Sequence, residues 1–375
     1  MCLSFKLLSP IMIAPVIGGI ATADLTGSGR QDLIVTAPAK NEIIVLVPSA
    51  SGSFTKAKTF PAGKNPVAVT MAVLDSSSRP DAIVAGGTAG TVTILPNNGH
   101  GGFGKATSTF KQLSNAVATG AADFRDQGLN DILVVENGSD NVAAFTNTGR
   151  GFTGPTNIPV GTGPTALAIA DFNADSYPDF VTADAAGNTA SLVLDDPAGG
   201  FQTARKLPVG TDPVAVLAPS LDAYTPPWIV TANKADNTIS VLPNTGGSQF
   251  PDRWDWPVGT MPVALAAGDL VGNGTQTLVI ANAGSDSLTL FACDVTGGFI
   301  ATETIKLAAT PANLALADTN ADGAIDIIVS FTNGTAQVLL NQPGTRLYNA
   351  RLRFAAAANR GAYLSGGTRV SLAGR

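Results

Sequence analysis

What this chain of 375 residues lacks narrows its chemistry first. It has one histidine, His100, in a glycine-rich turn where it reads as solvated. No Gly-x-Ser-x-Gly, His-x-x-x-His or Cys-x-x-Cys spacing occurs, so the usual nucleophile and metal motifs are missing. Cysteine is scarce too. Cys2 and Cys293 allow one bridge or two free thiols, not a disulfide framework, and they leave the redox compartment open. Charged residues make up 13%, against about 25% in ordinary soluble domains. Lysine and arginine form no cluster and the net charge is −6, so nothing is offered to phosphate and nucleic acid is excluded as a partner. No apolar run approaches the ~20 residues of a membrane-spanning helix.

What is plentiful is glycine (41), proline (24) and apolar residues in short runs, with 45% hydrophobic overall. That is the composition of a many-stranded all-β protein. Phenylalanine after a glycine-rich turn marks a period: Phe54, Phe103, Phe152, Phe201, Phe250 and Phe299 stand 49 residues apart. Phe5 and Tyr348 continue the series at either end, and Pro164, Pro213, Pro262 and Pro311 form a second comb in register with it. Each unit holds four runs of five to seven partly alternating residues, separated by Gly, Asn, Asp or Pro. The first run is rich in Ala and Gly (Ala116–Ala122, Ala264–Gly268), which suits crowded strands around an axis. Four-stranded units of this length are propeller blades.

Seven units are counted from one loop position: Asp32, Asp81, Asp131, Asp179, Trp228, Thr277 and Asp326. The pattern predicts an all-β, seven-bladed β-propeller with four antiparallel strands per blade. Residues 1–360 would form the ring, closed by pairing of N- and C-terminal segments, and 361–375 a tail. Phe5-Lys-Leu-Leu and Ala350-Arg-Leu-Arg-Phe354 compete for the last outer strand, and the N-terminal segment is the better choice because it locks the ring. The apolar stretch from Leu7 to Ala23 resembles a signal-peptide core. Its Ile17–Asp24 portion, however, repeats the start of every later unit and reads as a strand.

The loop between the first two strands carries oxygen ligands. Two copies are complete: Asp171, Asn173, Asp175 and Asp179 with the carbonyl of Tyr177, and Asp318, Asn320, Asp322 and Asp326 with that of Ala324. Oxygens at positions 1, 3, 5, 7 and 9 suit one hard cation, and calcium takes six to eight of them. A third loop, with Asp24, Thr26, Ser28, Asp32 and the Arg30 carbonyl, keeps the oxygens but only two carboxylates. In the unit from Asp123 to Asp131, Arg125 stands where a ligand should be, and its guanidinium could pair with either aspartate. The Asp75–Asp81 loop is two residues short, Asp269–Thr277 loses two ligands, and Ser220–Trp228 loses the set. Calcium is thus expected at two sites, with a third possible.

The Asp-x-Asn-x-Asp-Gly-x-x-Asp loop before an apolar strand, with a Gly-Phe turn in each unit, resembles the FG-GAP or VCBS repeat of integrin α-chain propellers. The resemblance covers residues 5 to about 355. It implies a seven-bladed ring, calcium in blade loops, an extracellular or cell-surface location, and a role in adhesion or in binding a protein or carbohydrate ligand. The chain could be part of a longer surface protein. In the fifth unit Tyr224, Trp228, Trp254 and Trp256 gather all the tryptophans of the chain. Trp254 and Trp256 alternate on one strand and share a face, which either packs an outer strand or meets a sugar or protein. The two functions to weigh are a non-catalytic calcium-binding recognition module and a carbohydrate-binding or carbohydrate-active propeller, whether lectin, lyase or glycosidase. A deep polar funnel with convergent carboxylates would favour an enzyme. A shallow mouth would favour the module. Sequons at Asn137, Asn273 and Asn333 matter only in a glycosylating host.

Overall fold

The computed structural model describes residues 3–196, 200–220, 226–293 and 299–342. Tyr224, Tyr348, the Ala350–Phe354 segment and the 361–375 tail lie outside the described residues. The seven-unit reading is borne out: seven four-stranded antiparallel sheets follow one another along the chain. Blade 1 comprises Ile20–Ala23, Asp32–Ala37, Glu42–Pro48 and Phe54–Pro61. Blade 2 comprises Ala68–Ala72, Asp81–Ala85, Val92–Leu95 and Ser108–Phe110. Blade 3 runs from Ala116 to Pro159, with Asp131–Glu136 and Asn141–Asn147 as middle strands. Blade 4 comprises Pro164–Ala170, Asp179–Asp184, Thr189–Val193 and Arg205–Pro208. Blade 5 comprises Pro213–Leu217, Ile229–Asn233, Thr238–Leu242 and Trp254–Pro257. Blade 6 has Pro262–Gly268, Thr277–Asn282, Ser287–Cys293 and Phe299–Lys306.

Blade 7 has Pro311–Ala317, Asp326–Phe331 and Thr335–Asn341 from the end of the ring. Its outer strand is Phe5–Leu7, paired antiparallel to the third strand with Phe5 opposite Asn341 and Leu7 opposite Leu339. Further along, Ile11 and Met12 pair with Ala336 and Thr335, and Gln337 donates from Nε2 to the Leu8 carbonyl at 2.8 Å. Residues 5–12 therefore strap the edge of the last blade.

Each blade follows one physical logic. In blades 4 to 7 the inner strand starts on proline, which has no N–H to offer, and the register slips just after it. The second strand lies between two others and between two blades, so in all seven blades all of its residues are buried. Such strands read as continuous apolar runs, whereas the outer Phe54–Pro61 is mostly exposed. The core consists of layers between neighbouring blades. In blade 1, Ile34, Ile43 and Val45 face Val69, Val84 and Leu95 of blade 2, while Leu33, Val35 and Ile44 face Ile328 and Val338 of blade 7. Each such side chain contributes about 1.5–3 kcal/mol on burial.

The phenylalanine comb seals these layers at one end. Phe201 lies edge-on to Phe124 of blade 3 and Phe180 of its own blade, and Phe250 lies edge-on to Phe172 of blade 4. The loops from inner to second strand and the Gly-Phe turns share that end of the blades. The hairpins between second and third strands occupy the other.

Candidate functional site

In blade 4 the loop folds around its first aspartate. Both Asp171 oxygens accept backbone N–H groups, Oδ1 from Ala174 (2.7 Å) and Asp175 (3.2 Å), Oδ2 from Ser176 (2.9 Å). Ala174 and Ser176 adopt positive φ, at 63° and 72°, which brings the N–H groups round to one carboxylate. Asn173 donates from Nδ2 to Asp175 Oδ2 at 2.7 Å, and Asp175 Oδ1 accepts from the Tyr177 N–H at 2.9 Å. Asp179 closes the loop. It is fully buried and accepts the N–H groups of Phe172 and Asp195, both at 2.8 Å. Burial pushes its pKa up to about 6; the charges of Asp175 and Asp171 add to the rise, and the two N–H bonds oppose it.

Blade 7 repeats this arrangement. Asp318 accepts from Asp322 and Gly323, Asn320 donates to Asp322 at 2.9 Å, and Asp322 accepts from the Ala324 N–H. Asp326 is buried under Thr319 and Asn341, and burial raises its pKa, with Asp322 adding to the rise. In blade 1 four N–H groups, of Thr26, Gly27, Ser28 and Gly29, point at Asp24; Arg30 turns its own N–H to Ser28 Oγ. Burial works upward on Asp24, but these donors together hold it below the ordinary carboxylate range. Asp32 goes the other way, raised by burial and by Asp24. In blade 6, Asp269 is likewise held low by loop N–H groups against the upward pull of burial. Blade 3 supplies a positive group of its own: Arg125 grips Asp131 through Nε (3.0 Å) and Nη2 (2.9 Å), and also reaches the Asn147 carbonyl.

Do the residues suit a bound cation? Among the described residues no three acidic, histidine or cysteine side chains are already drawn together as a ligand set. The donor chemistry nonetheless fits a hard divalent ion in blades 4 and 7. Each loop offers three carboxylates, an amide oxygen and a carbonyl, and among the described residues no lysine or arginine pairs with its last acid. Blade 3 makes the same point in reverse, because there the position is filled by a guanidinium.

Blade 5 carries the aromatics. Trp228, at the place of the lost aspartate, is 7% exposed and meets Trp254 edge-on at 5.8 Å. Trp254 is 40% exposed, and half-buried Trp256 packs against Phe291 of blade 6. The two do share a face, and that face is turned to blade 6. Along the axis runs a cavity of about 270 Å3, lined chiefly by Ile20, Val67, Val117, Val263, Leu265 and Leu314, with Asn313 as its one polar side chain among the described residues. Among the described residues no carboxylate lines it. His100 sits in its turn, whose carbonyl accepts from Lys58 Nζ at 2.8 Å.

Two sets of residues escaped the reading of the sequence. The first is an asparagine at the end of the third strand. Asn147, Asn244 and Asn341 each donate from Nδ2 to a loop carbonyl of the preceding blade, those of Leu74, Phe172 and Leu270. Their recurrence five, six and seven residues before Phe152, Phe250 and Tyr348 of the comb was the available signal, blurred by that drift. The second is a polar cluster at the end of the second strand. Buried Asp184 accepts hydroxyls from Thr182 (2.7 Å), Thr189 (2.9 Å) and Ser191 (2.7 Å), and Asn233 and Asn282 stand in its place in blades 5 and 6.

Residues 123–182, from the loop of blade 3 to the second strand of blade 4, match the model of the FG-GAP-like repeat. No curated protein matches the sequence significantly. Solved structures share the fold at low identity. BBS1N, in its complex with ARL6DN, is 12% identical with a TM-score of 0.67, over 92% of this chain and 99% of that one. Virginiamycin B lyase from Staphylococcus aureus is 14% identical with a TM-score of 0.61, over 90% and 99%. A protein from Lactobacillus plantarum is 16% identical with a TM-score of 0.61, over 79% and 86%. Among the described residues no helix is long and apolar enough to cross a membrane.

Proposed function

We propose that this propeller with an FG-GAP-like repeat is a non-catalytic, calcium-stabilised recognition module that binds a protein partner through one of its faces outside the cell. The observation that carries the reading is the pair of loops in blades 4 and 7, whose last aspartates are buried and face further carboxylates with no lysine or arginine beside them among the described residues. Asp171, Asn173, Asp175, Asp179 and the Tyr177 carbonyl would hold one ion; Asp318, Asn320, Asp322, Asp326 and the Ala324 carbonyl a second. The Asp24–Asp32 loop, with the Arg30 carbonyl, is the weaker third. When bound, calcium neutralises the clustered carboxylates and ties the inner and second strands of a blade together. An axis cavity whose described lining side chains are aliphatic apart from Asn313, together with the single histidine, argues against chemistry at the centre of the ring. A protein ligand accords with BBS1N, a fold relative captured with ARL6DN.

Exposed Trp254 favours a second reading, in which the side of blade 5 stacks on a sugar. Calcium titration by calorimetry, with melting curves in parallel, tests the first. The native chain should bind about two ions and melt higher in calcium, and Asp175→Ala with Asp322→Ala should lose both responses. A native chain indifferent to millimolar calcium would sink the metal reading and leave the ring intact.

A further inference from the structure

The three sequons have the same wording, Asn-Gly-Ser/Thr, and the structure separates them. We propose that Asn273 and Asn333 are acceptor sites for an N-linked glycan and that Asn137 is not.

At Asn273, in the inner-to-second-strand loop of blade 6, the Thr275 hydroxyl donates to Asn273 Oδ1 at 2.7 Å and the Thr275 N–H to the same oxygen at 3.0 Å. At Asn333, in the hairpin of blade 7, Thr335 does the same at 2.7 and 3.1 Å. Both asparagines are exposed, and among the described residues neither donates a hydrogen bond from Nδ2. Their amide nitrogens face water with both protons available.

Asn137 is placed differently. It is the first residue of the blade 3 hairpin, whereas Asn333 is the second of its own, and this offset turns the side chain toward the neighbouring blade. Its Nδ2 donates to the Pro164 carbonyl of blade 4 at 3.0 Å, and its Oδ1 accepts from Asn115 at 3.3 Å. It is half-buried, and the Ser139 N–H turns back to Glu136 instead. A sugar on this nitrogen would remove a donor from a blade-to-blade contact and need space already filled.

The chemistry is a transfer from a lipid-pyrophosphate-linked oligosaccharide. Nδ2 forms a bond to the anomeric carbon, and the bond from that carbon to the pyrophosphate oxygen breaks. The pyrophosphate leaves with the electron pair, and one amide proton passes to the transferase. The products would decorate opposite ends of adjacent blades, so a partner would dock away from blades 6 and 7. Relevance in the natural setting rests on the extracellular reading; acceptor competence does not.

The test is secretion of the full chain from a glycosylating host behind that host's leader, followed by glycopeptide mapping. Peptides with Asn273 and Asn333 should carry glycan mass, and the Asn137 peptide should not. Thr275→Ala and Thr335→Ala should each empty their own site alone, with the melting temperature of the enzymatically deglycosylated chain unchanged. An unmodified Asn273 or Asn333 on secreted chain, or an occupied Asn137, overturns the assignment. Calcium titration of the same material separates this outcome from failure of the calcium reading.

Discussion

In blade 4 the loop from the inner strand closes on a buried carboxylate, Asp179, while in blade 5 the same place in the sheet holds Trp228. Blade 4 fills the end of its loop with charge and aims backbone N–H groups at it; blade 5 fills it with aromatic volume and backs it with Trp254. The difference extends to the far end of the second strand. In blade 4, Asp184 sits under Ser191, with Lys206 opposite that serine on the outer strand. In blade 5, Asn233 sits under Ser240, with Asp255 opposite and bound to it at 2.7 Å. Moving the carboxylate from the second strand to the fourth preserves a satisfied cluster. The blade plan therefore fixes where polar groups must be met and leaves open which residue meets them.

The largest way to break this comparison is Trp228→Ala. Emptying a buried indole should cost about 3–5 kcal/mol in denaturant unfolding. A loss below about 1 kcal/mol would mean that blade 5 does not depend on the aromatic as blade 4 depends on its loop. Next comes pH in the presence of a chelator. The folded chain holds the Asp179 proton more tightly than the unfolded chain does, with a pKa of about 6 against the ordinary 3.8. Its contribution is therefore complete below 3.8 and is lost as pH rises through about 6, a fall of about 1–3 kcal/mol. Asp179→Asn should flatten that fall, and an unchanged pH profile would remove Asp179 as its source. A smaller effect is expected from Asp184→Asn, which copies blade 5. Burial raises Asp184, against three hydroxyls and Lys206, so the amide should match the parent within about 1 kcal/mol at pH 7. A larger loss would show that the carboxylate is specifically required. Smallest is Trp254→Ala, expected to cost about 0.5–1 kcal/mol for one edge contact; loss of ligand binding with so little loss of stability would favour the sugar reading.

Most of the fold was legible because the phenylalanine and proline combs repeat at fixed spacing, and each marks a place where the backbone has no alternative. Proline opens inner strands, and phenylalanine seals the layer between blades. The aspartate loops were legible for the same reason. The guanidinium of Arg125 could be assigned to an aspartate from sequence, though not to Asp131 in particular, since the choice depends on where the Asn147 carbonyl lies. The asparagine clamps were less visible. Asn244 bonds to a carbonyl 72 residues earlier, and a carbonyl leaves no trace in the residue type that bears it. Asp184 was hidden by its own surroundings. Thr182, Thr189 and Ser191 look like ordinary strand residues until three hydroxyls converge on one carboxylate.

The strap on blade 7 has a consequence in time. Phe5–Leu7 leave the ribosome some 330 residues ahead of their partners on Thr335–Asn341. At about 5–20 residues per second, that is a wait of roughly 15–70 seconds. Blades 1 to 6 can pair their own strands as they emerge, but the seventh must recover a strand made before all of them. Until it does, the last sheet has an open edge. A cell making this protein has to keep that edge, and the waiting segment, from finding a neighbour's instead.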